Sequence, residues 1–207
     1  MSKFTLHRHD LPAGMDFGPA VAVDSEAMGL QLGRDRLCMV QLSSGDGTAH
    51  LVQLAMPGED GLIQAPNLAK LLGDRSVTKL FHFARADLAM LQVAFGVMAE
   101  PVYCTKIASR LARTYTDRHG LKDLVKEVLN IEISKQQQSS DWGADHLSDE
   151  QLAYAASDVL YLHQLRDKLN VMLARERRLA LAEACFQFLP ARAALDIKGW
   201  PDDIFAH

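Results

Sequence analysis

The chain has 207 residues, of which 48% are hydrophobic and 23% charged, and its formal net charge is −4. Those proportions exclude a disordered or collagen-like chain, and the acidic balance excludes a polycation that coats nucleic acid or anionic membrane regardless of sequence. Any nucleic-acid contact is therefore expected to be local, on one compact domain spanning residues 1–207.

The N-terminal segment from Met1 to Asp10 is polar and charged where a signal peptide needs an apolar core. No window reaches the length of a membrane span, so the expectation is an unprocessed cytoplasmic protein with no membrane partner. Cys38, Cys104 and Cys185 are far apart and odd in number, which argues against a disulfide framework or a zinc knuckle.

After the Pro- and Gly-containing segment Leu11 to Pro19, the apolar run Ala20 to Val23 predicts a buried strand that stops at an acidic cluster. Arg36 to Leu42 and Ala49 to Leu54 predict two more strands, separated by the turn residues Ser43 to Thr48. Asn67 to Leu72 has helical spacing, Val77 to Phe83 returns to strand, and Asp87 to Phe95 returns to helix before Gly96. The second half predicts helices at Lys106 to Tyr115, at Leu121 to Leu129, and one long helix from Asp149 to Glu176. Ser148-Asp-Glu-Gln151 matches a capping box at the start of that last helix. Ile133 to Gly143 is a polar stretch without a period, either a functional loop or a surface connector.

Acids beside apolar runs either find partners or bind metal. Asp24 and Glu26 end the first predicted strand two residues apart, on one face of an extended chain. Asp87 opens a helix, where free N–H groups favour an anion, and Tyr154 and Asp158 lie one turn apart on the long helix. Each feature alone also fits a strand end, a helix cap, or a core ring beside a solvated acid. Their chain order is more specific than any one of them.

Val23-Asp-Ser-Glu-Ala-Met-Gly-Leu30, Lys79-Leu-Phe-His-Phe-Ala-Arg-Ala-Asp-Leu88 and Gln151-Leu-Ala-Tyr-Ala-Ala-Ser-Asp-Val159 resemble the three motifs of the DEDD 3′-5′ exonucleases. The subgroup is the one with a tyrosine in its third motif, and the likeness is to ribonuclease D-like enzymes from about Ala20 to Leu169. Ser140-Asp-Trp142 ahead of the third motif also resembles that family, and His119-Gly-Leu-Lys-Asp-Leu124 and Ser134 to Trp142 are similar to the short ribonuclease D-like group called nano-RNase C. The resemblance implies an α/β ribonuclease H-like exonuclease fold, a mixed sheet flanked by helices. It also implies two divalent cations, Mg²⁺ or Mn²⁺, which suit clustered carboxylates.

By the same resemblance Asp24 bridges both ions, Glu26 and Asp158 complete the site of the nucleophilic water, and Asp87 serves the second ion. Tyr154 orients the attacking water, since a phenol with a pKa near 10 is a poor general base. Leu30 is either a wedge between the two terminal bases or a core leucine. His82 either touches substrate or a water beside the metal site, or is a buried strand histidine bonded to backbone. Lys135, Gln138 and Ser139 could cap a 5′ phosphate. Lys106, Arg110, Arg113, Arg118 and Lys122 form a local basic excess, fit for phosphates or a solvated helix face.

Full-length ribonuclease D carries C-terminal helical domains, and the shorter stretch after the third motif here argues against long structured RNA. Cys104-Thr105 also stands where longer relatives commonly have Asp-Thr. The segment 177–207 is too apolar for a free end, so it packs on its own domain or at a subunit interface, and the resemblance implies a ring-like homo-oligomer, an octamer. The expected substrate is short single-stranded RNA down to dinucleotides. The rivals are a general exonuclease on longer RNA or DNA and a silent nucleic-acid-binding domain.

Overall fold

A computed structural model describes residues 4–133 and 140–206. The elements are β1 (Phe4–Arg8), β2 (Ala20–Ala27), β3 (Leu37–Ser43), β4 (Ala49–Gln53), α1 (Pro66–Gly73), β5 (Thr78–Phe81), α2 (Ala84–Phe95), β6 (Val102–Cys104), α3 (Thr105–Ala112), α4 (Leu121–Leu129), α5 (Asp149–Val159), α6 (Leu162–Arg175) and α7 (Leu179–Ile197).

The six strands form one mixed sheet in the order β1-β4-β3-β2-β5-β6. β2, β3 and β4 make the expected antiparallel meander, whereas β5 joins β2, β6 joins β5, and β1 joins β4 in parallel. Every residue of β3 is buried, as befits a central strand covered on both faces. Parallel pairing needs a crossover, and α1 and α2 supply the crossovers into β5 and β6. The expected α/β class and mixed sheet are what the chain adopts.

Besides the unpredicted strands β1 and β6, and the helix expected to reach Tyr115 that ends at Ala112, three features differ from the sequence-based expectations. The strand predicted to reach Phe83 ends at Phe81, because Phe83 turns left-handed and starts α2 three residues before Asp87. The single helix predicted from Asp149 to Glu176 is two helices, broken at Leu160 and Tyr161. Its halves have different partners, α5 against β2, β3 and β4, and α6 against α3 and α4, so one straight rod cannot serve both. The third difference is α7, which the tail's apolarity announced without its periodicity. It carries Pro190 internally and packs on α2, α3 and β6 through Ala182, Phe186, Leu189 and Ala193.

The capping box at α5 is present in full. The Ser148 hydroxyl accepts from the Gln151 amide at 3.2 Å, and the Gln151 side chain accepts from the Ser148 amide at 2.9 Å. Such a cap contributes about 1 kcal/mol. It fixes where α5 begins, and so the height at which Tyr154 and Asp158 stand against β2.

Candidate active site

β2 delivers the first two acids. Its residues 20–23 are buried, and Asp24 and Glu26 are half-buried where the strand leaves the core. α5 lies against β2 and adds Asp158, so that Asp24, Glu26 and Asp158 each offer a carboxylate oxygen within 4.8 Å of the others. Asp87, from the first turn of α2, is buried beside this trio and accepts a 2.6 Å hydrogen bond from the Ser25 hydroxyl. The serine between the two strand acids thus ties the second motif to the first, a role that its position in Asp-Ser-Glu does not announce.

Electrostatics follow from the crowding. Burial, followed by Asp87, Asp158 and Glu26, holds the Asp24 carboxyl well above its usual range. Burial and then Asp158 and Asp87 push Glu26 up to about 8. Burial pushes Asp87 up to about 7 against the lowering effect of Ser25. Such a set of oxygen donors, costly when ionised together, fits a hard divalent cation that neutralises it.

Tyr154 is hydrogen-bonded to Asp158, and burial together with the Asp158, Glu26 and Asp24 charges drives its phenol far above the ordinary value. It stays protonated and acts as a donor. Its ring lies 6.2 Å from that of Trp142, which is buried. The segment that carries Trp142 is pinned to the sheet, since Arg36 donates to the Gly143 carbonyl at 3.1 Å and Gln53 to the Ala144 carbonyl at 3.0 Å. The Ser-Asp-Trp segment is thereby a brace behind Tyr154.

Asp24, Ser25, Glu26, Asp87, Tyr154 and Asp158 line a cleft of about 670 Å³, with Leu30, Phe83, Lys106, Lys122 and Ile133 also on its walls. Leu30 is 86% exposed, which rules out the core alternative. His82 lines the cleft and its Nδ1 lies 2.9 Å from the Thr105 hydroxyl, which itself donates to the Phe81 carbonyl at 3.1 Å. Since that hydroxyl's proton is spent on the carbonyl, it accepts from His82 Nδ1–H. His82 thus contacts Thr105 and borders the cleft. Lys135, Gln138 and Ser139 lie outside the described residues.

The basic excess divides. Lys106 and Lys122 line the cleft. Arg113 is fully buried and donates to Ser109 Oγ, the Arg118 carbonyl and Glu127, so it faces no phosphate. A guanidinium at the end of an amphipathic helix looked solvent-facing in the sequence; its acid partner lies fourteen residues on, beyond the reach of helical spacing.

The model of the 3′-5′ exonuclease family matches residues 11–174. Ribonuclease D of Acidiphilium cryptum is 36% identical over 161 residues, covering 78% of this chain and 40% of that protein, so the chain spans about two-fifths of the curated relatives it matches. Among solved structures, Brucella melitensis NrnC bound to pGG superposes with a TM-score of 0.94 at 56% identity, and NrnC with bound Mg²⁺ with 0.92 at 55%, each covering 100% of both chains. Escherichia coli ribonuclease D superposes with a TM-score of 0.73 at 27% identity, over 84% of this chain and 45% of that one. With motifs, fold and acid cluster concordant over most of its length, the chain belongs to the 3′-5′ exonuclease family, together with ribonuclease D and NrnC.

Proposed function

We propose that this protein is, as a single catalytic domain, a divalent-metal-dependent 3′-5′ exoribonuclease that degrades short oligoribonucleotides, dinucleotides included, to 5′ nucleoside monophosphates. The observation that carries this reading is the convergence of Asp24, Glu26 and Asp158 within 4.8 Å in a cleft that also presents an exposed Leu30. The likeness to NrnC bound to pGG, over the whole of both chains, supports a short substrate. NrnC with bound Mg²⁺ supports the choice of metal, with Mn²⁺ as the alternative hard ion.

Asp24, Glu26, Asp158 and Asp87 would hold two cations, which when bound supply Lewis-acid polarisation of the phosphodiester and a water of lowered pKa. The protein's own groups do the rest. The protonated Tyr154, held between Asp158 and the Trp142 ring, orients the attacking water rather than deprotonating it. Leu30 presents an apolar blade to the terminal bases, and Ser25 fixes the rotamer of Asp87. Lys135, Gln138 and Ser139 are proposed to receive the 5′ phosphate of a short chain.

Two further readings accompany this proposal. No helix among the described residues is long and apolar enough to cross a membrane, and the absence of a disulfide pair among the cysteines supports a cytoplasmic setting. Phe188, Trp200, Ile204 and Phe205 remain exposed on and after α7, which supports burial of this face in a ring-like homo-oligomer, proposed as an octamer.

A time course with 5′-labelled di-, hepta- and eicosaribonucleotides in Mg²⁺ or Mn²⁺, with Asp24→Ala as control, tests the function. Rapid loss of the dinucleotide with slow attack on the longer chains is expected. Equal stepwise shortening of all three that stops before the dinucleotide would replace this reading with a general exonuclease.

A further inference from the structure

Phe83 occupies a backbone conformation that its side chain does not favour. Its φ of 69° and ψ of 46° are left-handed, a genuine outlier for a bulky residue and the kind of strain that collects at functional sites. The strain does not serve burial, because Phe83 remains 47% exposed and lines the cleft. The Lys106 ammonium stands 4.0 Å from the centroid of the Phe83 ring and lines the same cleft. Lys106 forms no ion pair among the described residues. An aromatic ring held out of the core at an energetic cost, with a cation over it, is the equipment of a nucleotide platform: a face for a base and a charge for its phosphate.

We propose that Phe83 and Lys106 form such a platform, with the exposed part of the Phe83 ring stacking on one base of the oligonucleotide and Lys106 meeting the adjoining phosphate. The platform rests on the exonuclease reading and adds a contact to it, one on the second motif that complements Leu30 on the first. Stacking of this kind tolerates every base, so the platform confers grip without sequence preference. The left-handed turn has a positional logic too. It ends β5 and aims residue 83 into the cleft four residues before Asp87, so that one turn of chain sets both the base contact and the acid.

The test compares wild type with Phe83→Ala, Phe83→Gly, Phe83→Tyr and Lys106→Met on a 5′-phosphorylated dinucleotide and on its two singly abasic analogues. Phe83→Ala and Phe83→Gly are expected to raise KM about tenfold with kcat little changed, Phe83→Tyr to retain the wild-type KM, and Lys106→Met to raise KM and flatten its salt dependence. On the analogue lacking the stacked base, wild type and Phe83→Ala should become equal. Phe83→Gly should keep or raise the melting temperature, since glycine accepts the left-handed backbone freely. An unchanged KM in Phe83→Ala, or a melting temperature that falls in Phe83→Gly together with kcat, would overturn the platform. If wild type cleaves none of the three substrates, the dinucleotide reading has failed on its own. Direct dinucleotide binding by wild type and Phe83→Ala then decides the platform: a tenfold gap supports it and equal affinities refute it.

Discussion

Asparagine in place of Asp158 would remove one charge from the acid cluster while keeping its shape. Two full charges within 4.8 Å of each other repel by at least about 3.5 kcal/mol at an effective dielectric near 20. The strain shows in Glu26, pushed up to about 8, and Asp87, pushed up to about 7. In the unfolded chain both carboxyls ionise near their ordinary values, whereas in the metal-free folded protein they keep their protons several pH units longer. The unfolded state therefore binds fewer protons across that window, and stability falls as pH rises from the ordinary carboxyl range towards 7 and 8. The slope is up to about 1.4 kcal/mol per pH unit for each group. At pH 8 in EDTA, Asp158→Asn should be more stable than wild type by about 2 kcal/mol, the Coulomb figure reduced for a half-buried acid that solvent screens. For a chain of this size that is about 4–8 °C in melting temperature. With millimolar Mg²⁺ or Mn²⁺ the order should reverse, because wild type binds the ions and the variant binds them poorly. Thermal melts from pH 5 to 8, with and without metal, read all of this. A wild-type melting temperature that does not change with pH in EDTA, or an Asn variant less stable than wild type at pH 8, would refute the reasoning.

Four further outcomes are expected. Tyr154→Phe keeps the ring against Trp142 and should lower kcat by about a hundredfold, the scale of losing a group that positions a reacting water, with KM little changed in steady-state kinetics. Leu30→Ala should leave the unfolding free energy from urea melts within about 0.5 kcal/mol of wild type because the side chain is exposed, while raising KM for a dinucleotide. Ser25→Ala removes a charge-assisted bond of about 1.5–3 kcal/mol to Asp87 and should weaken apparent Mn²⁺ affinity about tenfold in a metal titration of activity. Glu127→Ala leaves the fully buried Arg113 without its acid. It should cost about 3 kcal/mol by denaturant melts, the low end for a broken buried pair because Glu127 itself is partly exposed.

The antiparallel meander and the three motifs were legible because alternating apolar runs and turn residues encode β2, β3 and β4 locally, and because the acids stand where those runs end. The parallel pairings were not. β1 and β6 are short and acquire strand geometry only from β4 and β5, partners that no local pattern names. The break at Leu160 was hidden by continuous helical spacing, since what bends the chain is a change of neighbour from sheet to α3 and α4. In the candidate site, the residue types and spacing of the acids gave the donor set. The hydrogen bond from Ser25, the brace of Trp142 and the left-handed Phe83 depend on contacts between segments that lie far apart in the chain. Arg113 was misread as a surface cation for the same reason.

The acid cluster joins β2, near the start of the chain, to α5, well past its middle. A polypeptide still being synthesised can therefore bring together Asp24, Glu26 and Asp87 from β2 and α2, but the set lacks its fourth carboxylate until Asp158 has been made and α5 has docked. On the exonuclease reading proposed above, this order of synthesis would act as a temporal safeguard. The emerging chain, held close to its own messenger, carries an incomplete blade, and cutting competence arrives only when the fold that confines it to a cleft has closed.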